Sequence, residues 1–579
     1  MHPPALDFRN VNALWGSVLA ETLFRSGVAQ AVISPGSRST PLAFAFASHP
    51  GFEAIPVLDE RSAAFFALGL AKQRRRPVVL VCTSGTAAAN LFPAVVEARE
   101  GGTPLLVLTA DRPPEMRASA SGQTIDQQKL YGAFVQFHHE LSLPSSESSR
   151  LRYLRQTVAH AVERCLRPTP GPVHLNVPFR DPLPPIADGG ETEGATKGVN
   201  WTRFFSSVSE PVDTVLASTV PVLSPAVHGL IVAGPVLVAD AEAYSTAVGE
   251  AARRLGWPVL ADGLSVVRNH ADKVPNLVTT YDAILRQSGG NDGLRPEVVL
   301  CLGEWPTSKV LRTWLEDSGA SLFLATERVD NRDALHGLTR HLAVSLPVLV
   351  EALPQSLGPN GYQEMWAGYE LRARADLDAR LAAEDQFVEP KAAWLLARHL
   401  PAATPILVAN SMPVRDMEYV WPPTDKRFPV AINRGANGID GTLSTALGFA
   451  HGRQPSVLLT GDLALLHDTN GLLISKRLRG SLTIVLINNS GGGIFEHLPV
   501  AQFDPIFEEF FATPQQVDFA RLADAYGVEH VSVVNWGQFA ALIRALPASG
   551  VRILELRTDR KQDPLWRREL LAAVGRASA

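Results

Sequence analysis

Short, uniformly apolar runs alternate with longer amphipathic stretches along the whole chain: Val78 to Val81, Leu105 to Leu108, Leu230 to Val232, Val298 to Leu302, Leu322 to Leu324, Ser456 to Thr460 and Thr483 to Ile487. Runs of this kind suit strands buried on both faces, and their alternation with helical segments predicts an α/β fold of doubly wound parallel sheets. Two stretches break the rhythm. Asp181 to Asn200 and Leu353 to Gly361 are rich in Pro, Gly and small polar residues and carry no apolar period. They divide the chain into three expected domains, 1–185, 200–355 and 362–579. The first and third have similar length and the same strand-helix rhythm, without any short-period repeat.

One βαβ unit in the third part has polar groups at both strand ends. The run ending at Thr460 is followed by Gly461-Asp462, and the run ending at Ile487 by Asn488-Asn489 and then Gly491-Gly492-Gly493. Carboxyl ends of neighbouring parallel strands lie side by side, so Asp462 and Asn489 can meet over one crevice. A carboxylate and an amide oxygen suit a hard divalent cation that shares substrate phosphates, and the glycines admit close backbone approach. Taken alone, the same string is also that of an ordinary strand-turn-helix unit.

Composition narrows the picture. The chain has 579 residues, 46% of them hydrophobic, and a formal net charge of -5, so anion binding must come from locally placed Arg and Lys and a nucleic-acid surface is not expected. Three widely spaced cysteines argue against a disulfide framework and fit a cytoplasmic setting. Met1 to Asn10 has no signal-peptide pattern, and no apolar run is long enough to span a membrane. Arg74-Arg75-Arg76 reads as a solvated turn, and His138-His139 as a packing pair.

The spacing of Gly461-Asp462 and Asn489 resembles the thiamine diphosphate signature, with Leu463 where Gly is usual. Six further blocks extend the likeness: SPGSRST from Ser34, DERSA from Asp59, TSGT from Thr83, DRPPE from Asp111, NSMPVRD from Asn410 and NRGANGIDG from Asn433. Together and in this order they resemble the 2-succinyl-5-enolpyruvyl-6-hydroxy-3-cyclohexene-1-carboxylate synthase family, which acts in menaquinone biosynthesis.

The resemblance implies three α/β domains of the thiamine diphosphate-dependent type: pyrimidine-binding, central and diphosphate-binding. It further implies a homodimer or homotetramer, with cofactor held between subunits. Its implied activity is decarboxylation of 2-oxoglutarate and conjugate addition of the succinyl fragment to isochorismate. The cofactors would be thiamine diphosphate and Mg²⁺ or Mn²⁺. Glu60 would be the catalytic carboxyl, hydrogen-bonded to the pyrimidine nitrogen, and Ile439 the apolar wedge that bends the cofactor. Gly461, Asp462, Leu463, Asn489 and Gly491 would hold the diphosphate, with Asp462, Asn489 and the Gly491 carbonyl on the metal. The substrates are polyanions, so forked cations suit them. Ser37, Arg38, Arg112, Gln123, Lys309, Ser411, Arg415 and Arg434 match the family's substrate positions. Ser411 and Arg415 would serve 2-oxoglutarate, and Arg112 and Gln123 isochorismate.

Two positions depart from the pattern. Val310 stands where an Arg often follows the lysine, with Arg312 nearby as a replacement. Phe510 and Phe511, in the aromatic segment Ile506 to Phe511, are expected to wall the pocket. A different 2-oxoacid carboligase or decarboxylase of the same superfamily is the alternative. A nicotinamide-dependent dehydrogenase would need a glycine-rich turn after Val232-Ala233-Gly234, and no G-x-G-x-x-G follows there.

Overall fold

The computed structural model describes residues 4–211, 228–287, 292–354 and 361–578. Three six-stranded sheets, every pairing parallel, form the framework. The first contains β1 (Gln30–Ile33), β2 (Glu53–Pro56), β3 (Val78–Cys82), β4 (Leu105–Asp111), β5 (Phe137–Glu140) and β6 (Pro172–Pro178), in the order β2-β1-β3-β4-β6-β5. The second contains β7 (Gly229–Ala233), β8 (Val259–Ala261), β9 (Leu277–Val278), β10 (Val298–Leu302), β11 (Ser321–Thr326) and β12 (Leu338–Ala343). Its order, β9-β8-β7-β10-β11-β12, is that of a doubly wound dinucleotide-binding sheet. The third contains β13 (Ile406–Val408), β14 (Val430–Ile432), β15 (Ser456–Gly461), β16 (Ser481–Asn488), β17 (Glu529–Ser532) and β18 (Gly550–Arg557), ordered β14-β13-β15-β16-β18-β17. First and third sheets therefore share one strand order, which gives structural content to their matching rhythm.

The reason lies in burial. Every residue of β3, β4 and β6 is buried, as is β16 up to its last residue, so helices must cover both faces of each sheet.

By compactness the described residues fall into two units. One gathers those within Met1–Asp213, Asn433–Gly452 and His467–Arg479; the other those within Thr214–Ile432, Arg453–Leu466 and Gly480–Ala579. The second and third sheets thus belong to one unit, and two stretches sequentially attached to the third sheet belong with the first.

In the first unit the helix Glu60–Arg74 explains that attachment. Asp59 caps it, its carboxylate accepting the N–H groups of Arg61 (2.9 Å) and Ser62 (3.2 Å), and Lys72 and Arg74 sit in the last turn, where cations suit the dipole. Its small residues face those of the helix Thr442–Ala450, and the two backbones nearly touch. A Cβ on Gly69 would lie 2.1 Å from the Thr445 carbonyl oxygen. Gln73 adds bonds to the carbonyls of Phe449 (3.0 Å) and His451 (2.8 Å).

Gly69→Ala opposes two effects. In an open helix Ala would stabilise by about 0.5–1 kcal/mol, whereas here the methyl group would meet backbone and cost about 1–3 kcal/mol. Net destabilisation in urea unfolding is the expected outcome; a neutral or stabilising result would refute the backbone contact.

Candidate active site

In the second unit β15 and β16 are neighbours in register, Gly461 opposite Ile487, so Asp462 and the loop after Asn488 leave the sheet together. Asp462 is buried, and its two carboxylate oxygens accept the N–H groups of Leu463 (2.7 Å) and Gly491 (2.9 Å). Burial pushes its pKa up to about 6, with the charge of Glu389 adding to the effect. The sequence expects a helical stretch after Asp462, its amides directed at the diphosphate. The structure gives six helical residues, Asp462–His467, then a 3-10 stretch, Thr469–Arg477, and the Leu463 amide is turned onto Asp462 itself. Gly491 has φ 138° and runs so close to Ala512 that a Cβ would lie 2.4 Å from its carbonyl oxygen.

Asn489 is also buried, and its amide is oriented by a single bond. Nδ2 donates to Glu389 Oε1 at 2.6 Å, while Oδ1, equally buried, has no partner. A buried acceptor left bare costs free energy, and a cation offsets that cost. The donor set of carboxylate, amide oxygen and backbone carbonyl consists wholly of hard oxygens, which fits Mg²⁺ or Mn²⁺. Among the described residues no group of three or more His, Cys, Asp or Glu is placed to hold a metal, so diphosphate oxygens would have to complete the shell.

The same unit holds the residues expected at 2-oxoglutarate. Ser411 precedes the helix Met412–Val420 with φ 72°, a conformation rarely tolerated by a side chain and concentrated at functional sites. Its carbonyl accepts from Arg415 Nη1. Burial lowers the Arg415 pKa, and Arg312 and Arg567 lie near enough for their charges to lower it further. Lys309 is exposed at the first position of the helix Lys309–Ser318, where a cation opposes the dipole. One turn on, Arg312 keeps a buried Nε without a partner, while Val310 packs into the core. Phe510 is largely exposed, and Phe511 packs against Phe495 (5.9 Å between rings) and Phe507 (6.4 Å).

The first unit holds the remainder. Glu60 is the first residue of its helix, half-buried, with its charge felt by Cys82 at the end of β3. Arg38 is buried and donates to the Phe179 carbonyl (2.9 Å); Arg112 donates to Ser84 Oγ (2.9 Å) and the Gly122 carbonyl (2.8 Å). Burial lowers the Arg38 pKa, the Arg112 charge lowers it further, and both side chains keep a buried Nε without a partner. Two cations held together with donors to spare form a setting for an anion. Gln123, at φ 56°, donates to the Ser84 carbonyl (3.1 Å), and Ser37 is exposed beside Arg38. Ile439 is half-buried, and its loop, which also carries Arg434, is held where Glu97 accepts the N–H groups of Gly435 (3.0 Å) and Ala436 (2.7 Å).

The dehydrogenase alternative fails on geometry. A Cβ on Gly234 would lie 1.6 Å from the Glu304 carbonyl oxygen, so the turn after β7 is filled by the protein's own backbone.

Sequence reasoning missed the buried carboxylates behind these residues. Asp468 accepts from the Ser444 N–H (2.6 Å), from Ser444 Oγ (2.9 Å) and from Ser62 Oγ (3.5 Å), securing the start of the Glu60 helix. Glu389, Asp416 and Asp563 surround Arg567. Their only sequence signal is a charge in an apolar context, which every surface helix also provides.

Comparison with known proteins identifies the surroundings of these residues. Sequence profiles of the thiamine pyrophosphate enzymes match twice: the N-terminal TPP binding domain over residues 15–130 and the C-terminal TPP binding domain over residues 422–555. The chain is 52% identical over 563 residues to the 2-succinyl-5-enolpyruvyl-6-hydroxy-3-cyclohexene-1-carboxylate synthase of Microcystis aeruginosa, covering 97% of this chain and 99% of the relative. It is 51% identical to the protein of that name from Trichormus variabilis, covering 98% of each. Among solved structures, benzoylformate decarboxylase from Polynucleobacter necessarius superposes with a TM-score of 0.64 over 94% of this chain and 98% of its own, at 16% identity, a likeness of fold.

Asp468 supplies a pH test. Burial raises its pKa to about 6, above the ordinary 3.8, so its contribution to stability is full below about pH 4 and lost as pH rises through 6. Asp468→Asn removes the charge; its oxygen can still accept from the Ser444 N–H, and its nitrogen can donate to the serine hydroxyls once they turn to accept. Relative to wild type, the variant should gain up to about 3 kcal/mol in urea unfolding between pH 4 and pH 8; a pH-independent difference would contradict the assignment.

Proposed function

The chain belongs to the 2-succinyl-5-enolpyruvyl-6-hydroxy-3-cyclohexene-1-carboxylate synthase family and is a thiamine diphosphate-dependent transferase, and we propose the following division of labour among its residues. Asp462, the Asn489 side chain and the Gly491 carbonyl hold Mg²⁺ or Mn²⁺ on the cofactor diphosphate, with Gly461 and Leu463 lining the turn. The bare, buried Oδ1 of Asn489 carries this reading, because its amide is oriented from behind and no group among the described residues hydrogen-bonds to it.

When bound, thiamine diphosphate supplies the electron sink through which 2-oxoglutarate loses CO₂ and its four-carbon remainder becomes a nucleophile toward isochorismate. Glu60 holds a proton at the pyrimidine nitrogen N1′ and exchanges it as the cofactor is activated. Ile439 would give the cofactor its apolar support. Ser411 and Arg415 bind the oxoglutarate carboxylates, with Lys309 and Arg312 as further cations; the unpartnered Nε of Arg312 supports its standing in for the Arg that Val310 replaces. Arg112 and Gln123 receive isochorismate, Ser37, Arg38 and Arg434 complete the substrate site, and Phe510 and Phe511 exclude water from the addition step. The carbon-carbon bond forms by conjugate addition, without net oxidation.

Domain limits of 1–185, 200–355 and 362–579 belong to this reading. So does a homodimer or homotetramer in which Glu60 of one subunit serves the cofactor of its neighbour. A cytoplasmic location is supported by three buried free cysteines, and among the described residues no helix is long and apolar enough to cross a membrane.

Incubation with Mg²⁺, thiamine diphosphate, 2-oxoglutarate and isochorismate should release CO₂ in step with loss of isochorismate. More efficient use of pyruvate in place of 2-oxoglutarate would transfer the assignment to another carboligase. Glu60→Gln is expected to bind cofactor normally and lose on the order of 10²–10⁴-fold in kcat; turnover like wild type would remove Glu60 from the mechanism. Arg415→Ala should lower kcat/KM for 2-oxoglutarate by roughly ten- to a hundredfold, the loss of a charged hydrogen bond. Unchanged oxoglutarate kinetics would contradict its role.

A further inference from the structure

Behind Asn489 and Ser411-Arg415, within the second unit, lies a guanidinium that no substrate or cofactor role accounts for. Arg567, on the helix Asp563–Ser578, is buried and meets three buried carboxylates. Nε and Nη2 donate to Asp416 Oδ1 at 3.0 and 2.7 Å, and Nη2 also reaches Asp563 Oδ2 at 2.8 Å and Glu389 Oε2 at 3.3 Å. Nη1 lies 3.3 Å from Nε2 of His497. Glu389 is itself fully engaged: its N–H donates to Asp563 Oδ1 at 3.0 Å, and its Oε1 accepts from Asn489 Nδ2.

Four chain segments therefore converge on one side chain: the start of the helix Glu389–His399, the loop after β16, the helix Met412–Val420 and the C-terminal helix. Two of them carry the residues assigned above to the metal and to 2-oxoglutarate. Asp416 follows Arg415 directly, so fixing Asp416 fixes the turn that presents Arg415 and the strained Ser411. Glu389 settles which way the Asn489 amide points, because only its nitrogen can face a carboxylate, which leaves Oδ1 for a cation.

We propose that Arg567 is a positioning residue that holds the Asn489 amide, through Glu389, and the Ser411-Arg415 turn, through Asp416, in one rigid array, so that metal-bound cofactor and 2-oxoglutarate are placed relative to each other from behind the site. A hydrophobic side chain cannot replace it, since three buried carboxylates would face one another without a counter-charge. Lysine keeps the charge and loses the planar fork that spans separate carboxylates at once. The inference rests on the roles given above to Asn489 and Arg415.

Two quantities on the intact protein test it: the Kd for thiamine diphosphate in Mg²⁺, by calorimetry without substrate, and the KM for 2-oxoglutarate at saturating cofactor. Arg567→Lys should raise both by about tenfold or more, the scale of lost support behind a metal ligand. A variant that melts at lower temperature but keeps both constants would overturn the proposal, because Arg567 would then serve stability alone. If Arg567→Lys does not fold, Glu389→Gln and Asp416→Asn decide. In Glu389→Gln the new carboxamide satisfies Arg567 with its oxygen and turns its nitrogen to Asn489, driving that amide to present nitrogen to the metal. Each variant also removes one negative charge from beside Arg567 and so should shift both constants, its own side by the larger factor; an effect confined to its own side overturns the coupling. Wild-type protein that bound no cofactor or ignored 2-oxoglutarate would fail the functional reading instead, whatever the variants did.

Discussion

Strands buried on both faces can show polar side chains only where they stop. In β15 and β16 burial runs to the next-to-last residue, and the polar side chains of Asp462 and Asn489 stand immediately beyond the two strands. Parallel pairing brings those ends to the same edge, so one constraint, burial of the sheet, decides both where chemistry can sit and which segments share it. The same constraint operates in the first sheet, where Arg38, Ser84 and Arg112 follow β1, β3 and β4.

The site so created is electrostatically uncomfortable. Asp462, Glu389, Asp416 and Asp563 are all buried, and the last three meet the buried Arg567. Burial raises the pKa of Asp563 to about 7 and of Asp416 well above the usual range, while Arg567 is held charged more firmly than in water. Such a cluster is a weak source of stability, because desolvation consumes most of the Coulombic gain. Its value lies in direction: Glu389 takes the Asn489 nitrogen and leaves Oδ1 a buried acceptor without a partner. The bare Nε atoms of Arg38, Arg112 and Arg312 show the same design with the opposite sign. Preorganised groups of this kind cost no rearrangement when a charged ligand arrives.

Much of this was legible in the chain. The apolar runs marked the strands, and the first and third parts showed one rhythm; that their sheets also share a strand order came from the structure. The strand ends marked Asp462 and Asn489 for the reason just given. The helical stretch after Asp462 was legible, but not its division into six α-helical residues and a 3-10 segment, nor that the Leu463 amide is spent on Asp462. The attachment of Thr442–Ala450 to the Glu60 helix was invisible, since contact through Gly69 and Thr445 joins residues hundreds of positions apart. Glu389 and Arg567 escaped for a related reason: a carboxylate or guanidinium in a helical stretch has the same one-dimensional signature whether it meets water or a counter-charge.

Periodicity and strand ends are local properties, and burial acts on them locally, so the sequence by itself determined the α/β class, the doubly wound parallel sheets and the residues at the sheet edge, while the cofactor type came from the resemblance of its motifs to a known family. Partner choice among buried charges is not local. Which way the Asn489 amide faces, which carboxylates share Arg567 and which cations keep a free donor depend on distances between distant segments. Hydrogen-bond and Coulomb energies vary with ångströms and angles, and only the tertiary structure sets those.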